Sequence, residues 1–275
     1  MNTKIAIQGI KGSFHHQVAL DYFHKDCDVV ECLSFEELVS SLLSDESGLA
    51  VMAIENSIAG SIIPNYALID KYNLEVIGEH YLDIHQNFMA LRGQKIEDIR
   101  EVHSHPMALL QCMDFLKNQP HIKIVEDKDT AETARRIHNN QIYGIAAIAS
   151  KTASAMYNLE ILAPEIQTIN NNMTRFVILA KKQSDISKSR INKASLKFEL
   201  NHKRGSLAAV LNVMSDCKLN LTKIQSLPKI EMPWKYSFFV DVTFEDYEDY
   251  AKAKAVVNIM AEYFKVLGEY ENKQP

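Results

Sequence analysis

The sequence predicts an α/β protein in which two α/β lobes face one cleft and a small βαββαβ domain follows them. Three observations carry this expectation. A strand–helix rhythm begins at Ile5 and restarts near Tyr81. The segment Leu49 to Ile54 is wholly apolar, as a parallel strand covered on both faces must be. A strictly alternating strand, Tyr236, Phe238, Val240, Val242 and Phe244, appears only beyond a polar break at Lys181 to Lys193.

The elements follow in order. A short apolar strand, Ile5 to Ile7, meets a glycine turn and a helix expected from Phe14 to His24. A strand near Val29 to Glu31 leads to a helix whose start carries Ser34 and Glu37 in capping-box spacing, before apolar Leu38, Leu42 and Leu43. After the Leu49 to Ile54 strand and the restart, a strand is expected at Phe88 to Leu91. A helix after Pro106 carries Leu109, Cys112, Met113 and Leu116 at helical spacing. Asp129 with Glu132 opens another helix, and strands Ile142 to Ala149 and Arg175 to Ala180 complete the two lobes.

The stretch Lys181 to Lys193 is polar, lacks apolar periodicity and reads as a linker. Beyond it come a strand at Ser195 to Leu200, a helix from Gly205, a strand near Asn220 to Ser226, the alternating strand, a helix carrying Val256, Val257 and Met260, and a last strand at Val266 to Glu269. This is a split βαββαβ unit, one sheet with two helices on one face.

The composition sets outer bounds. At 275 residues, with 47% hydrophobic and 24% charged residues, the chain suits a folded protein of two or three cores. A formal charge of −5 without a basic patch gives no general attraction for nucleic acid or anionic membrane. Cys27, Cys32, Cys112 and Cys217 are scattered without a C-x-x-C pair, which argues against a disulfide framework or a zinc knuckle. The first residues lack the apolar run of a signal peptide and no run of ~18 apolar residues occurs, so a cytoplasmic protein is expected.

Four segments carry candidate chemistry. Gly9, Gly12 and Ser13 lie between strand and helix, where backbone N–H groups can cradle a small anion or simply form a tight turn. Neither Gly-Lys-[Ser/Thr] nor a third glycine follows to hold a nucleotide. Glu55, Asn56, Ser57 and Gly60 place a carboxylate, an amide and a hydroxyl where a buried strand meets its loop, a favoured ligand position; Asn56 as a helix cap is the alternative. His103, Ser104, His105 and Pro106 end a strand and begin a helix, with Gln111 further in. Two histidines are too few for a metal, and Ser104 is the expected cap. Asp129, Thr130 and Ala131 make a second such start. Finally, Asn170 to Phe176 combines three amides with Thr174 and Arg175 at a strand entry, and a guanidinium binds carboxylates bidentately. An asparagine-rich surface turn would explain the amides but not that threonine and arginine.

In this order the segments resemble prephenate dehydratases across essentially the whole chain. The family's Gly-x-x-Gly-[Ser/Thr]-Phe stands at Gly9 to Phe14, its Glu-Asn-Ser-x-x-Gly at Glu55 to Gly60, and its Ser-His-Pro-x-x-x-x-Gln-Cys at Ser104 to Cys112. Its Thr-Arg-Phe is Thr174 to Phe176, preceded by Ala146 to Ser150 and by Tyr157 and Leu159. The resemblance implies lobes like those of a type II periplasmic binding protein, an active site in their cleft, no cofactor or metal, and a homodimer or homotetramer. It implies a catalytic domain at 1–181, a linker at 182–194 and, at 195–275, a regulatory domain similar to an ACT module. In the family that module binds phenylalanine. Here its Gly-Ala-Leu motif is Gly205, Ser206 and Leu207, and its Glu-Ser-Arg-Pro is Gln225, Ser226, Leu227 and Pro228. The loss of both charges leaves the effector open. The resemblance points to Gly205, Ser206, Leu207, Asn220 and Ser226 as effector contacts. Met107, where the family often has glutamine, is not counted as a site residue.

The implied reaction removes carbon dioxide and hydroxide from prephenate as the ring becomes aromatic. Arg175, with Phe176, Ser13, Ser57, His105 and Thr130, would bind the substrate. Thr174 would donate to the leaving hydroxyl, oriented or assisted by Asn56, Ser104 and Gln111; Glu55 is the alternative acid if burial keeps its carboxyl protonated. Two rivals stay open: arogenate as substrate, and a non-catalytic, amino-acid-responsive binding protein. With no long helical segment ahead of Ile5, a fused chorismate mutase is not expected.

Overall fold

Strand β1 (Ile5–Gln8) is followed by α1 (Phe14–Phe23), β2 (Val29–Cys32), α2 (Phe35–Leu43), β3 (Leu49–Asn56), the two-residue β4 (Gly60–Ser61), α3 (Ile63–Lys71) and β5 (Glu75–Asp83). Then come β6 (Asn87–Leu91), β7 (Glu101–Ser104), α4 (Pro106–Gln111), α5 (Met113–Lys117), β8 (Lys123–Glu126), α6 (Thr130–Asn139), β9 (Ile145–Ala149), α7 (Lys151–Met156), β10 (Leu159–Ala163) and β11 (Met173–Ala180). The last six are β12 (Lys193–Glu199), α8 (Ser206–Asp216), β13 (Asn220–Pro228), β14 (Tyr236–Thr243), α9 (Tyr247–Met260) and β15 (Tyr263–Tyr270). This computed structural model describes residues 3–23, 27–182, 187–201, 203–229, 232 and 234–275. The expected helix end at His24 and linker residues 183–186 lie outside that set.

The chain forms two compact units, Met1–Gly60 with Leu82–Phe176, and Ser61–Tyr81 with Val177–Pro275. The first unit holds both lobes. In one, β1 pairs in parallel with β2 and β3, and β11 enters the sheet beside β3. In the other, β7 pairs in parallel with β8 and β9, while β6 runs antiparallel to β9. Each lobe thus holds a parallel trio extended by a further strand, as expected of a type II periplasmic-binding-protein-like fold. The second lobe's sheet is apolar on both faces. Phe88, Ala90, Val102 and Ile148 meet Leu109, Cys112 and Leu116, and Met89, Leu91, Ala147 and Ala149 meet Ala131, Ala134 and Ile137. Such burial explains runs with no polar alternation.

The expected long helix after Pro106 is instead two short ones. The Gln111 carbonyl accepts the Thr168 N–H at 2.8 Å, and the Cys112 N–H turns back to the Leu109 carbonyl. A carbonyl drawn away from its i+4 partner ends the helical ladder there. At the start of α2 half of the expected capping box forms: Ser34 accepts the Glu37 N–H, but the Glu37 carboxylate accepts the N–H of Leu33, one residue before the cap.

In the second unit, β12 to β15 form an antiparallel sheet ordered β13-β14-β12-β15, the βαββαβ arrangement expected. Leu196, Phe198, Val240 and Val242 pack under Val210, Met214, Tyr250, Ala253 and Val257 of the two helices. The opposite face is covered by α3 and β5. Tyr66 lies edge-on to Phe239 at 5.5 Å, and Asp70 accepts from Lys197 at 2.6 Å and Lys265 at 3.3 Å.

Candidate active site

β3 ends where β11 begins. The Ser57 N–H donates to the Met173 carbonyl at 2.8 Å, and the Ser57 hydroxyl accepts the Met173 N–H at 2.9 Å. This clamp brings Asn56 to Asn172 and Thr174: Asn56 Nδ2 donates to Asn172 Oδ1 at 2.7 Å and to Thr174 Oγ1 at 2.9 Å. Asn56 cannot turn over, because its Oδ1 already accepts the N–H groups of Ile58 at 3.0 Å and Ala59 at 2.9 Å. Its amide end therefore faces Thr174, and a hydroxyl that accepts from an amide keeps its own proton to donate. The same geometry orients Asn172. Its oxygen faces Asn56, so its Nδ2 is the opposite end, a buried donor with no acceptor among the described residues. Leaving such a donor unpaired costs about 1–3 kcal/mol.

Strand alternation separates the Thr-Arg-Phe side chains. Thr174 and Phe176 share one face of β11 and Arg175 points to the other. Arg175 is 5% exposed. Phe176 meets His15 edge-on at 5.0 Å, and His15, its pKa lowered to about 3 by burial, accepts the Ala53 N–H at 3.3 Å. Phe176 is therefore core, a correction to its reading as a substrate contact. Glu55, half-buried, precedes Asn56 on β3 and so points to the opposite face of that strand.

The second lobe contributes β7 and α4. The Ser104 hydroxyl is fully buried and donates to the Ile148 carbonyl at 2.6 Å. It does not cap α4: His105 does, its Nδ1 accepting the Met107 N–H at 3.2 Å. The expected cap is thus corrected, and the Ser104 proton is committed to holding β7 against β9. His103 receives Arg136 at Nδ1, 3.1 Å, and pairs through Nε2 with Glu101 at 2.9 Å. Gln111 Oε1 accepts from Gln86 Nε2 at 3.2 Å. Thr130, half-buried, begins α6.

The Gly9–Ser13 segment takes the tight-turn form of its two expected readings. The Gly9 N–H bonds the Cys32 carbonyl, Lys11 the Glu31 carboxylate, Gly12 His16 Nδ1, and Ser13 the Ile10 carbonyl. These donors already have acceptors, so the turn is no anion cradle, and the Ser13 hydroxyl caps α1 by accepting the His16 N–H at 3.2 Å. The other lobe holds the turn in place. Ser150 donates to the Gly12 carbonyl at 2.6 Å and the Tyr157 hydroxyl to the Lys11 carbonyl at 2.5 Å. A Cβ on Gly12, at φ +93, would stand 3.1 Å from the Tyr157 ring, so only glycine fits. Sequence reasoning assigned Asp129 no function beyond capping. One of its oxygens does accept the Glu132 N–H at 2.9 Å, while the other stands 3.1 Å from where a Cβ on Gly9 would lie, and burial raises its pKa. That second placement had no local signal.

Of the expected effector residues, Ser206 and Leu207 line a cavity of about 140 Å³ with Lys203, Tyr236 and Phe238. Gly205 precedes them at φ +81, and Ser226 stands opposite Phe238 in the sheet. Asn220 lies six residues along β13, roughly 20 Å away, in a separate polar cavity with Lys218, Thr243 and Asp249. Within this chain the five do not share one pocket.

The profile of the prephenate dehydratase family matches residues 5–184. A bifunctional chorismate mutase/prephenate dehydratase of Buchnera aphidicola is 35% identical over 238 residues, 85% of this chain and 62% of that protein. The chain thus spans less than two thirds of that relative's length. An arogenate dehydratase/prephenate dehydratase of Arabidopsis thaliana is 34% identical over 97% of this chain and 72% of its own length. Among solved structures, the prephenate dehydratase of Arthrobacter aurescens in complex with L-Phe superimposes with a TM-score of 0.87 at 23% identity, covering 99% of this chain and 91% of that one, which shows a shared fold. No helix among the described residues is long and apolar enough to cross a membrane. By its family profile and by the Arabidopsis relative, the chain belongs to the prephenate dehydratase family.

Proposed function

We propose that the protein is a prephenate dehydratase, forming phenylpyruvate for phenylalanine synthesis. The observation that carries this reading is the Asn56–Thr174 hydrogen bond with Asn56 locked by two backbone N–H groups. In the reaction the bond from ring to carboxylate breaks and releases CO2. Its electron pair completes the aromatic ring, the bond to the ring hydroxyl breaks at the far carbon, and the departing oxygen leaves as water after taking a proton. Thr174 donates to that oxygen as negative charge develops on it, where a donor already in place gives most stabilisation. Its weak acidity makes it a hydrogen-bond donor, with solvent supplying the net proton.

Asn56 positions Thr174. Gln111, Ser57, His105 and Thr130 border the site, and Arg175 and Glu55 act from the other faces of their strands. The C-terminal residues act as an ACT-type regulatory domain with phenylalanine as effector, after a linker expected at 182–194 whose last two residues, Lys193 and Ala194, are instead the buried start of β12; the fold supports this, while Gln225 and Leu227 set it apart. The protein works in the cytoplasm as a homodimer or homotetramer, consistent with cysteines scattered along the sequence and with β13 ending its sheet. Arogenate is the second reading, favoured by the name of the Arabidopsis relative.

Phenylpyruvate formation from prephenate, with arogenate run beside it, tests the assignment. Turnover of arogenate alone changes the substrate, and silence with both removes the enzyme reading. Thr174→Val is expected to lower kcat by roughly 10²–10³, the scale of one lost transition-state donor, with the melting temperature kept; near-normal turnover would take Thr174 out of the mechanism.

A further inference from the structure

Against Asn172 lies a groove of about 430 Å³, walled by Ile58, Met107, Leu110 and Ile169 and reached also by Gln111. The four apolar side chains are substantially exposed, while Asn172 is 1% exposed. Among the described residues no cation lines the groove, and its acidic member, Asp114, is paired with Lys117 at 3.3 Å. Asn172 and Thr174 accept hydrogen bonds from the same Asn56 amide, so the unpaired N–H group of Asn172 belongs to the same cluster as the Thr174 hydroxyl. A buried amide donor without a partner, its orientation set by the backbone through Asn56, is a group waiting for an acceptor.

Resting on the prephenate dehydratase reading, we propose that Asn172 is a substrate-binding residue that donates to the ring carboxylate lost as CO2, seated in this apolar groove. The chemistry favours a neutral donor here. A guanidinium would stabilise the carboxylate as strongly as it binds it, whereas an amide in apolar surroundings fixes its direction and leaves its charge poorly solvated. That charge disperses as CO2 departs, so the surroundings assist the step rather than oppose it. The sequence showed three asparagines in a loop; only the tertiary contact with Asn56 distinguishes Asn172.

The test compares two ligands that differ in this carboxylate. Prephenate carries it and phenylpyruvate does not. Asn172→Ala removes the donor; Asn172→Asp keeps an oxygen for Asn56 but sets a carboxylate against the substrate's. With prephenate, kcat/KM is expected to fall roughly 10- to 100-fold in Asn172→Ala, the scale of a hydrogen bond to a charged group, and further in Asn172→Asp. Phenylpyruvate affinity, measured by calorimetry, stays within about threefold of the original protein in both. Equal losses for both ligands would reduce Asn172 to a support for Asn56 and overturn the proposal, as would no loss for either. If the unaltered protein turns over prephenate but shows no such difference, this inference falls and the function stands. If it binds prephenate without turnover, the difference in binding decides the inference while the function falls, and if it binds neither ligand both fall.

Discussion

At the scale of single residues the site is a matter of which hydroxyl keeps its proton. Thr174 accepts from Asn56 and keeps it; Ser104 gives its proton to the Ile148 carbonyl and Tyr157 gives its own to Lys11. Asp129 adds a titrating group. Burial raises its pKa, so the folded chain binds this proton more tightly than the unfolded one. Its stabilising contribution is whole below the unfolded value near 4 and is lost as pH rises through the folded value. An asparagine in its place would be uncharged at every pH and a good helix cap. Asp129→Asn is therefore expected to match the original protein at acid pH and to gain on it towards neutrality. Urea melts at pH 4 and pH 7 check this, and a gap that does not widen with pH would count against a strained carboxylate.

Among the elements, β5 and β15 approach closely at Gly268. A Cβ added to Gly268 would lie 2.1 Å from the Val76 carbonyl oxygen and 2.7 Å from the Val76 Cβ. Backbone cannot swing aside as a side chain does, so Gly268→Ala must push the two strands apart. Overpacking of this kind costs about 1–3 kcal/mol, and a lowered melting temperature is expected. An unchanged one would show that the strands separate freely. Periodicity located most of the strands and helices, because it is set by which face is buried. It passed over α3 and β5, with Pro64 at the start of one and Glu75, Glu79 and Asp83 in the other. The break between α4 and α5 was also illegible, since the Thr168 N–H that causes it comes from far along the chain.

For the whole molecule the segment 61–81 matters most, because it covers the polar face of the C-terminal sheet within the second unit. Lys193 and Glu79 are both buried there, Nζ standing 2.9 Å from each carboxylate oxygen and 3.1 Å from the Tyr81 hydroxyl. Breaking a buried pair by removing one charge costs about 3–5 kcal/mol, whereas replacing both by apolar groups is often nearly neutral. Glu79→Gln and Lys193→Met should each destabilise by that order, and Glu79→Leu with Lys193→Met by less than either. Additive losses in chemical denaturation would mean that the two charges act separately.

The sequence alone determined the α/β rhythm, the βαββαβ tail, and the Glu-Asn-Ser and Thr-Arg-Phe segments that the structure brings together, since each is written in local spacing. It did not determine which polar groups are free. Lys193, Ser195 and Lys197 alternate with Ala194, Leu196 and Phe198 as a solvent-facing set would, yet all three are buried. Their cover comes from α3 and β5, more than 100 residues earlier. The same holds at the site, where Ser104 and Phe176 match family motifs but meet Ile148 and His15 within the core. Periodicity reports that a face is polar, whereas the partner of a hydroxyl or a lysine is a long-range contact, and only the tertiary structure decides it.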